Sequence, residues 1–172
     1  MKRPMKRRRG QAAPAALVLI AVLFAVAAVT VDALHLAEVR RRTYQVAADA
    51  ALQGARAGAE YDNYVAEGAV TLDELTARAQ ALSVVNAELA ASGIVTYTAQ
   101  VEVLPNATGG TINNFPPVGH AQQVGGSTWT ETEPSVGVYV EVPIETMFCG
   151  WLMNANTIPV HVFVAAGIVQ TN

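Results

Sequence analysis

The stretch from Ala12 to Val31, AAPAALVLIAVLFAVAAVTV, decides the architecture of this chain. It holds 20 consecutive residues without a charge, and a helix of that length spans roughly 30 Å, the hydrocarbon thickness of a bilayer. Ten of the 20 are Leu, Ile, Val or Phe. On the insertion scale they contribute on the order of −3 to −6 kcal/mol, and the remaining Ala, Thr and Pro residues are too close to neutral to change that sign. Pro14 falls in the first turn, where its missing N–H costs little. The segment reads as a transmembrane helix over residues 11–31, with the rest of the chain as its cargo.

The flanks orient it. Residues 1–10 form a basic tail with Lys2, Arg3, Lys6, Arg7, Arg8 and Arg9 and no acid, whereas Asp32 and Glu38 follow the span before the first base at Arg40. The positive-inside rule then keeps the N-terminus cytoplasmic and sends the C-terminal domain out. Arg40–Arg42 is a weaker counter-signal, two to three turns farther on. Arg7, Arg8, Arg9 and Asp32 are thus the membrane-surface charges. Asp32 marks the end of the span and could pair with a partner's base. A rival reading is a cleaved secretory signal with a small-x-small site at Ala25-Val26-Ala27. Against it, Val29 and Val31 keep the segment apolar past that site, and the helical pattern continues unbroken.

Charge is split along the chain. Six of the 11 bases precede Gly10, and the other five face all 14 acids, leaving the outer part at net −9. An acidic exterior argues against a nucleic-acid partner. The basic tail is better matched to topology and anionic headgroups. A lone cysteine, Cys149, excludes an internal disulfide, and in the apolar run MFCGWLM it reads as a small buried hydrophobe.

Past the membrane the helix is expected to continue over residues 32–60. Leu36, Val39, Thr43, Val46, Ala47, Ala50 and Gly54 lie on one narrow stripe, most of them three or four residues apart, with Arg41, Arg42, Gln45, Asp49, Gln53 and Arg56 mostly on the other side. The stripe passes from Val to Ala and Gly, so another backbone can approach it closely, either the chain's own sheet or a neighbouring subunit. Residues 61–172 then form an α+β outer domain. Thr71-Leu-Asp-Glu74 has the spacing of a capping box, and Leu72, Leu75, Ala79, Leu82, Val85 and Leu89 read as the buried face of a second helix ending at Gly93. From Ile94 the apolar period falls to two. Strands are expected over 94–104, 136–148 and 158–169 as an antiparallel meander, with Pro143 marking an edge or a bulge. Residues 106–127, rich in Gly, Asn and Pro, read as a long loop or hairpin excursion.

Chemistry is harder to find. His35, His120 and His161 have no metal-ligand spacing to one another, to the cysteine or to a carboxylate, and no nucleophile-elbow, phosphate-loop or dinucleotide motif occurs. The expectation is a protein without catalytic, metal or cofactor-binding residues.

One combination of residues does stand out. Arg9-Gly10-Gln11, the apolar span, Asp32, Arg40–Arg42 and the segment Ala47-Ala-Asp-Ala-Ala51 occur in that order. The array resembles the TadE/TadG-like proteins of the tight-adherence (Flp) pilus system, specifically over about the first 60 residues. Val138–Thr146 and Ile158–Val169 are similar, more loosely, to that family's final strands. The resemblance implies a pilin-like (pseudopilin or minor-pilin) protein of the bacterial inner membrane that helps assemble a surface filament, with other membrane-protein subunits as partners. It also implies a processing site at Gly10–Gln11. Ala15, however, stands where processed pilin-like proteins carry a Glu, five residues after the cleaved Gly, which argues equally for a permanent anchor. A single-span accessory subunit of another membrane complex, respiratory or photosynthetic, is the alternative.

Overall fold

A computed structural model describes residues 12–60, 69–118, 127–146, 148, 150 and 157–169. Helix α1 runs without interruption from Ala12 to Gly58, 47 residues. At its end a two-residue strand β1 (Ala59–Glu60) pairs with β2 (Thr71–Leu72), which leads into helix α2 (Glu74–Ala91). Five strands follow: β3 (Thr98–Leu104), β4 (Gly110–Asn113), β5 (Thr128–Glu131), β6 (Ser135–Glu145) and β7 (Thr157–Gly167). The fold is α+β, with the main sheet in the order β3-β6-β7, all antiparallel.

Period-two alternation explains why β6 takes the middle. Val136, Val138, Val140, Val142 and Ile144 are all at most 5 % exposed and face the outer half of α1 and helix α2. Burying side chains of this size stabilises by roughly 1.5–3 kcal/mol each. Facing partners on β3 (Val101 and Val103) and β7 (Val160 and Val162) complete that layer. Pro143 therefore lies in the central strand, not on an edge strand as its identity suggests. The register supplies the reason: β3 pairing stops at Thr98↔Glu141, so by Pro143 that side of β6 is already unpaired, and on the other side Pro143 faces Pro159.

The second helix is where it is expected, but its start and its buried face both shift. Its N-cap is Asp73, not Thr71: Asp73 Oδ1 accepts the Leu75 N–H at 3.2 Å, and Oδ2 accepts the Thr76 hydroxyl. Thr71 is held instead in the β1–β2 pair, donating its hydroxyl to Glu60 Oε2 at 3.2 Å. The buried residues are Ala77, Ala81, Val84, Val85 and Leu89, whereas Leu75 is 80 % exposed and Ala79 also faces solvent. Close approach to α1 selects this face. A Cβ placed on Gly58 would meet Ala77 Cβ at 2.6 Å, and one on Gly54 would meet the Ala77 carbonyl and Ala81 Cβ at 2.9 Å. Only small residues fit on both sides of such a contact.

Helix α2 stops as expected. Gly93 takes φ +76°, donating to the Ala90 carbonyl while Ile94 donates to that of Leu89, the paired bonds of a Schellman termination.

Residues 106–127 prove to carry half of a hairpin. Strands β4 and β5 pair with each other from Gly110↔Glu131 to Asn113↔Thr128 and fold over the far face of the main sheet. There Phe115, Trp129 and Phe163 meet with ring centroids 5.4–5.9 Å apart, beside Leu104 and Tyr139. The sheet thus has a helical layer on one side and a small aromatic core on the other.

Candidate functional site

Three places in the fold bear on function, and the first is the apolar half of α1. Its most hydrophobic 18-residue window has mean hydropathy 2.7, yet only 6 % of it is buried. Leu17, Val18, Leu19, Leu23 and Phe24 are each 60–74 % exposed. By length and composition this helix can cross a membrane. Among the described residues nothing covers it, so it is not the core helix of the outer domain.

The second place is the stripe on the outer half of the same helix. Val46, Ala47, Ala50 and Gly54 are buried and Val39 is half-buried. What they meet is the chain's own core: Gly54 lies against Ala77, Ala81 and Val136. Of the two partners left open by the sequence, its own domain occupies this face.

The third is the junction where the apolar half ends. Asp32 is only 4 % exposed, although it is the first charge after the span. Its Oδ2 accepts the backbone N–H of Phe148 at 3.0 Å, tying the chain just beyond β6 to the helix. The carboxylate is turned into the protein, whereas its place in the sequence suggests an outward surface charge. Higher on α1, Glu38 accepts from Arg41 Nε at 3.1 Å and from Arg42 Nε at 2.7 Å. Hydrogen bonds first from Arg41 and then from Arg42 hold the Glu38 carboxyl down at about 2. Two of the three bases of the Arg40–Arg42 cluster are thereby matched to an acid. Arg7, Arg8, Arg9, Gly10 and Gln11, together with Cys149 and His120, lie outside the described residues.

One polar cluster lies on the outward face of the sheet. The Tyr139 hydroxyl is 3.1 Å from Glu141 Oε2 and 2.8 Å from His161 Nδ1, with the Tyr139 and His161 rings stacked at 6.2 Å. Sequence reading gave His161 only as a polar-face residue. Its pairing opposite Glu141 depends on the β6–β7 register, which no local pattern states. Burial first, and then the Glu141 carboxylate, push the Tyr139 hydroxyl up to about 12. The Tyr139 hydroxyl thus links Glu141 on its own strand to His161 on the neighbouring one.

The sign of its pH effect follows. A folded value above the unfolded value of 10 means the stabilisation is full below pH 10 and is lost as pH rises through 12. In an alkaline titration followed by tyrosinate absorbance, Tyr139 should ionise at about pH 12, and Tyr139→Phe should remove that step. A Tyr139→Phe titration superimposable on the parent above pH 10, apart from one tyrosine fewer at ordinary pH, would contradict the geometry.

Among the described residues no group of three or more His, Cys, Asp or Glu side chains is placed to hold a metal ion. Comparison of the chain with protein-family models, with curated proteins and with solved structures gives no match.

Proposed function

We propose that the chain is a membrane-anchored structural and assembly protein, acting through its helix and its outer domain, not through chemistry. One observation carries this reading. A single continuous helix is bare and apolar from Pro14 to Val31 and packs one stripe of its outer half into an α+β core. A bare apolar cylinder in water is costly at roughly 25 cal/mol per Å². A bilayer removes that cost, and the helix satisfies its own backbone there. Because the outer stripe is occupied by the chain's own core, contacts with neighbours fall to the span and to the outer surfaces of the domain.

In this reading the N-terminus stays cytoplasmic at a bacterial inner membrane and the domain lies outside, as the TadE/TadG-like resemblance implies. The partners are membrane-protein subunits, and the pilus assembly machinery is the reading the resemblance favours.

The test is gentle detergent extraction of washed native membranes, a native gel, and mass spectrometry of what co-migrates. The expected result is an intact span in the membrane fraction, co-migrating with pilin, platform or secretin components. Co-migration with a respiratory or light-harvesting complex would make this an accessory subunit of that complex. Recovery from the supernatant with a new N-terminus after Ala27 would overturn the anchor itself.

A further inference from the structure

We infer that the outer domain makes a second contact with the membrane, in which Phe148 sits in the lipid interface of the outer leaflet and Val95 lies at its rim. The inference rests on the anchor reading above and goes beyond it, because a single-span anchor requires no lipid contact from the folded domain.

Height along α1 is the first argument. Asp32 is one residue past the last residue of the apolar span, so it stands about 1.5 Å along the helix axis beyond it. The headgroup layer on each side is roughly 5–7 Å deep. The Phe148 N–H, 3.0 Å from the Asp32 carboxylate, is therefore held within that layer. The bond uses the backbone, which leaves the ring free, and Phe148 is 53 % exposed. An aromatic ring fixed at this level and open to its surroundings suits an interfacial position.

A second loop reaches the same end of the domain. Ile94, Val95 and Thr96, after α2, line one groove with His35, Val39 and Arg42 of α1 and with the end of β6 from Val142 to Glu145. Val95 is 86 % exposed, the most exposed of the domain's large apolar residues among those described. Four to 11 residues past the span, these α1 neighbours stand about 6–17 Å out, from the outer edge of the headgroups into water, which puts Val95 at the rim of the contact and not inside it. Leu34, 66 % exposed, continues the apolar surface between the span and this rim. The sequence from Thr146 to Asn172 has no Asp, Glu, Lys or Arg, so the strand that returns from this end brings no charge to it. Leu75, equally exposed, lies at the opposite end near Gly58 and supplies a water-facing reference.

The full-length protein, with Cys149 replaced by serine, is reconstituted alone into phosphatidylcholine–phosphatidylglycerol vesicles. It is spin-labelled in turn at Phe148→Cys, Val95→Cys, Leu75→Cys and, in mid-span, Leu23→Cys. The ratio of oxygen to nickel-complex accessibility is then read by electron paramagnetic resonance. Position 148 should give a ratio several-fold above that of position 75 and approach position 23, with position 95 between. A ratio at 148 equal to that at 75, while 23 reads as lipid, would overturn the inference and leave the anchor standing; the exposed ring would then belong to a protein partner missing from the vesicles. An aqueous ratio at 23 would remove the anchor and the inference together. Because the latch is a backbone bond, Phe148→Cys leaves it in place, and an unchanged circular dichroism spectrum checks that the domain is folded.

Discussion

Replacing Gly54 with leucine should cost the outer domain roughly 3 kcal/mol or more, at the upper end of what overpacking does. The site has no slack on any side. A Cβ alone would already stand 2.9 Å from the Ala77 carbonyl, 2.9 Å from Ala81 Cβ and 3.4 Å from a Val136 methyl. The first two are backbone and a Cβ, neither of which can rotate away. Leucine adds three more carbons into the seam where α1, α2 and β6 meet. Higher helix propensity returns at most about 1 kcal/mol, so the clash wins. Against a total stability of about 5–15 kcal/mol, the thermal midpoint should fall by 10 °C or so, measured on detergent-solubilised protein. Gln53→Leu, next door on the exposed side, should change stability by no more than about 0.5 kcal/mol. Equal behaviour of the two variants would mean that α1 and α2 do not pack through this seam. Ala50→Leu would overpack the same core. Ala50 is fully buried in the same core, so that variant should first destabilise its own domain, and loss of assembly would follow from that.

The seam shows where sequence was enough and where it was not. The Val-to-Ala-to-Gly stripe on α1 was legible, because a helix surface is fixed by a period of 3.6 and the residue types announce close packing. Its partner was not. The Leu residues of 72–89 make an attractive apolar face, yet α2 turns toward α1 its Ala77 and Ala81, since the glycines leave room for nothing larger. Apolar periodicity ranks faces by hydrophobic area, whereas this packing is decided by distance. The same holds for the helix start. Thr71 and Asp73 are both good caps, and only the pairing of Thr71 with Glu60, 11 positions earlier, leaves Asp73 to do it. Strand positions were legible to within a few residues from alternation and proline, while the Tyr139–Glu141–His161 cluster is a product of register. The hairpin over the aromatic face was hinted at by glycines and asparagines, but Phe115, Trp129 and Phe163 come together from three separate segments.

Asp32→Ala should release the end of β6 from the helix, because it removes the acceptor of a bond between residues 116 positions apart. A hydrogen bond to a charged group contributes roughly 1.5–3 kcal/mol, so the Phe148 amide should exchange with solvent about 10- to 150-fold faster in the variant. Asp32→Asn keeps an oxygen in place without the charge and should lose about 1 kcal/mol less. The effect should be local: Val138 and Val140, deep in the central strand, should keep their protection in both variants. Hydrogen exchange by mass spectrometry on the solubilised full-length chain measures all of these together. Unchanged exchange at Phe148 in Asp32→Ala would show that the carboxylate is not its acceptor, and would favour the other role open to Asp32, an outward charge for a partner's base. The two roles exclude each other, since a carboxylate 4 % exposed and bonded to Phe148 has little surface left to offer a neighbour. An outward-facing Asp32 would make this end of the helix a docking point for another subunit. Under the proposed anchor, the latched Asp32 would instead set the height of the domain above the bilayer.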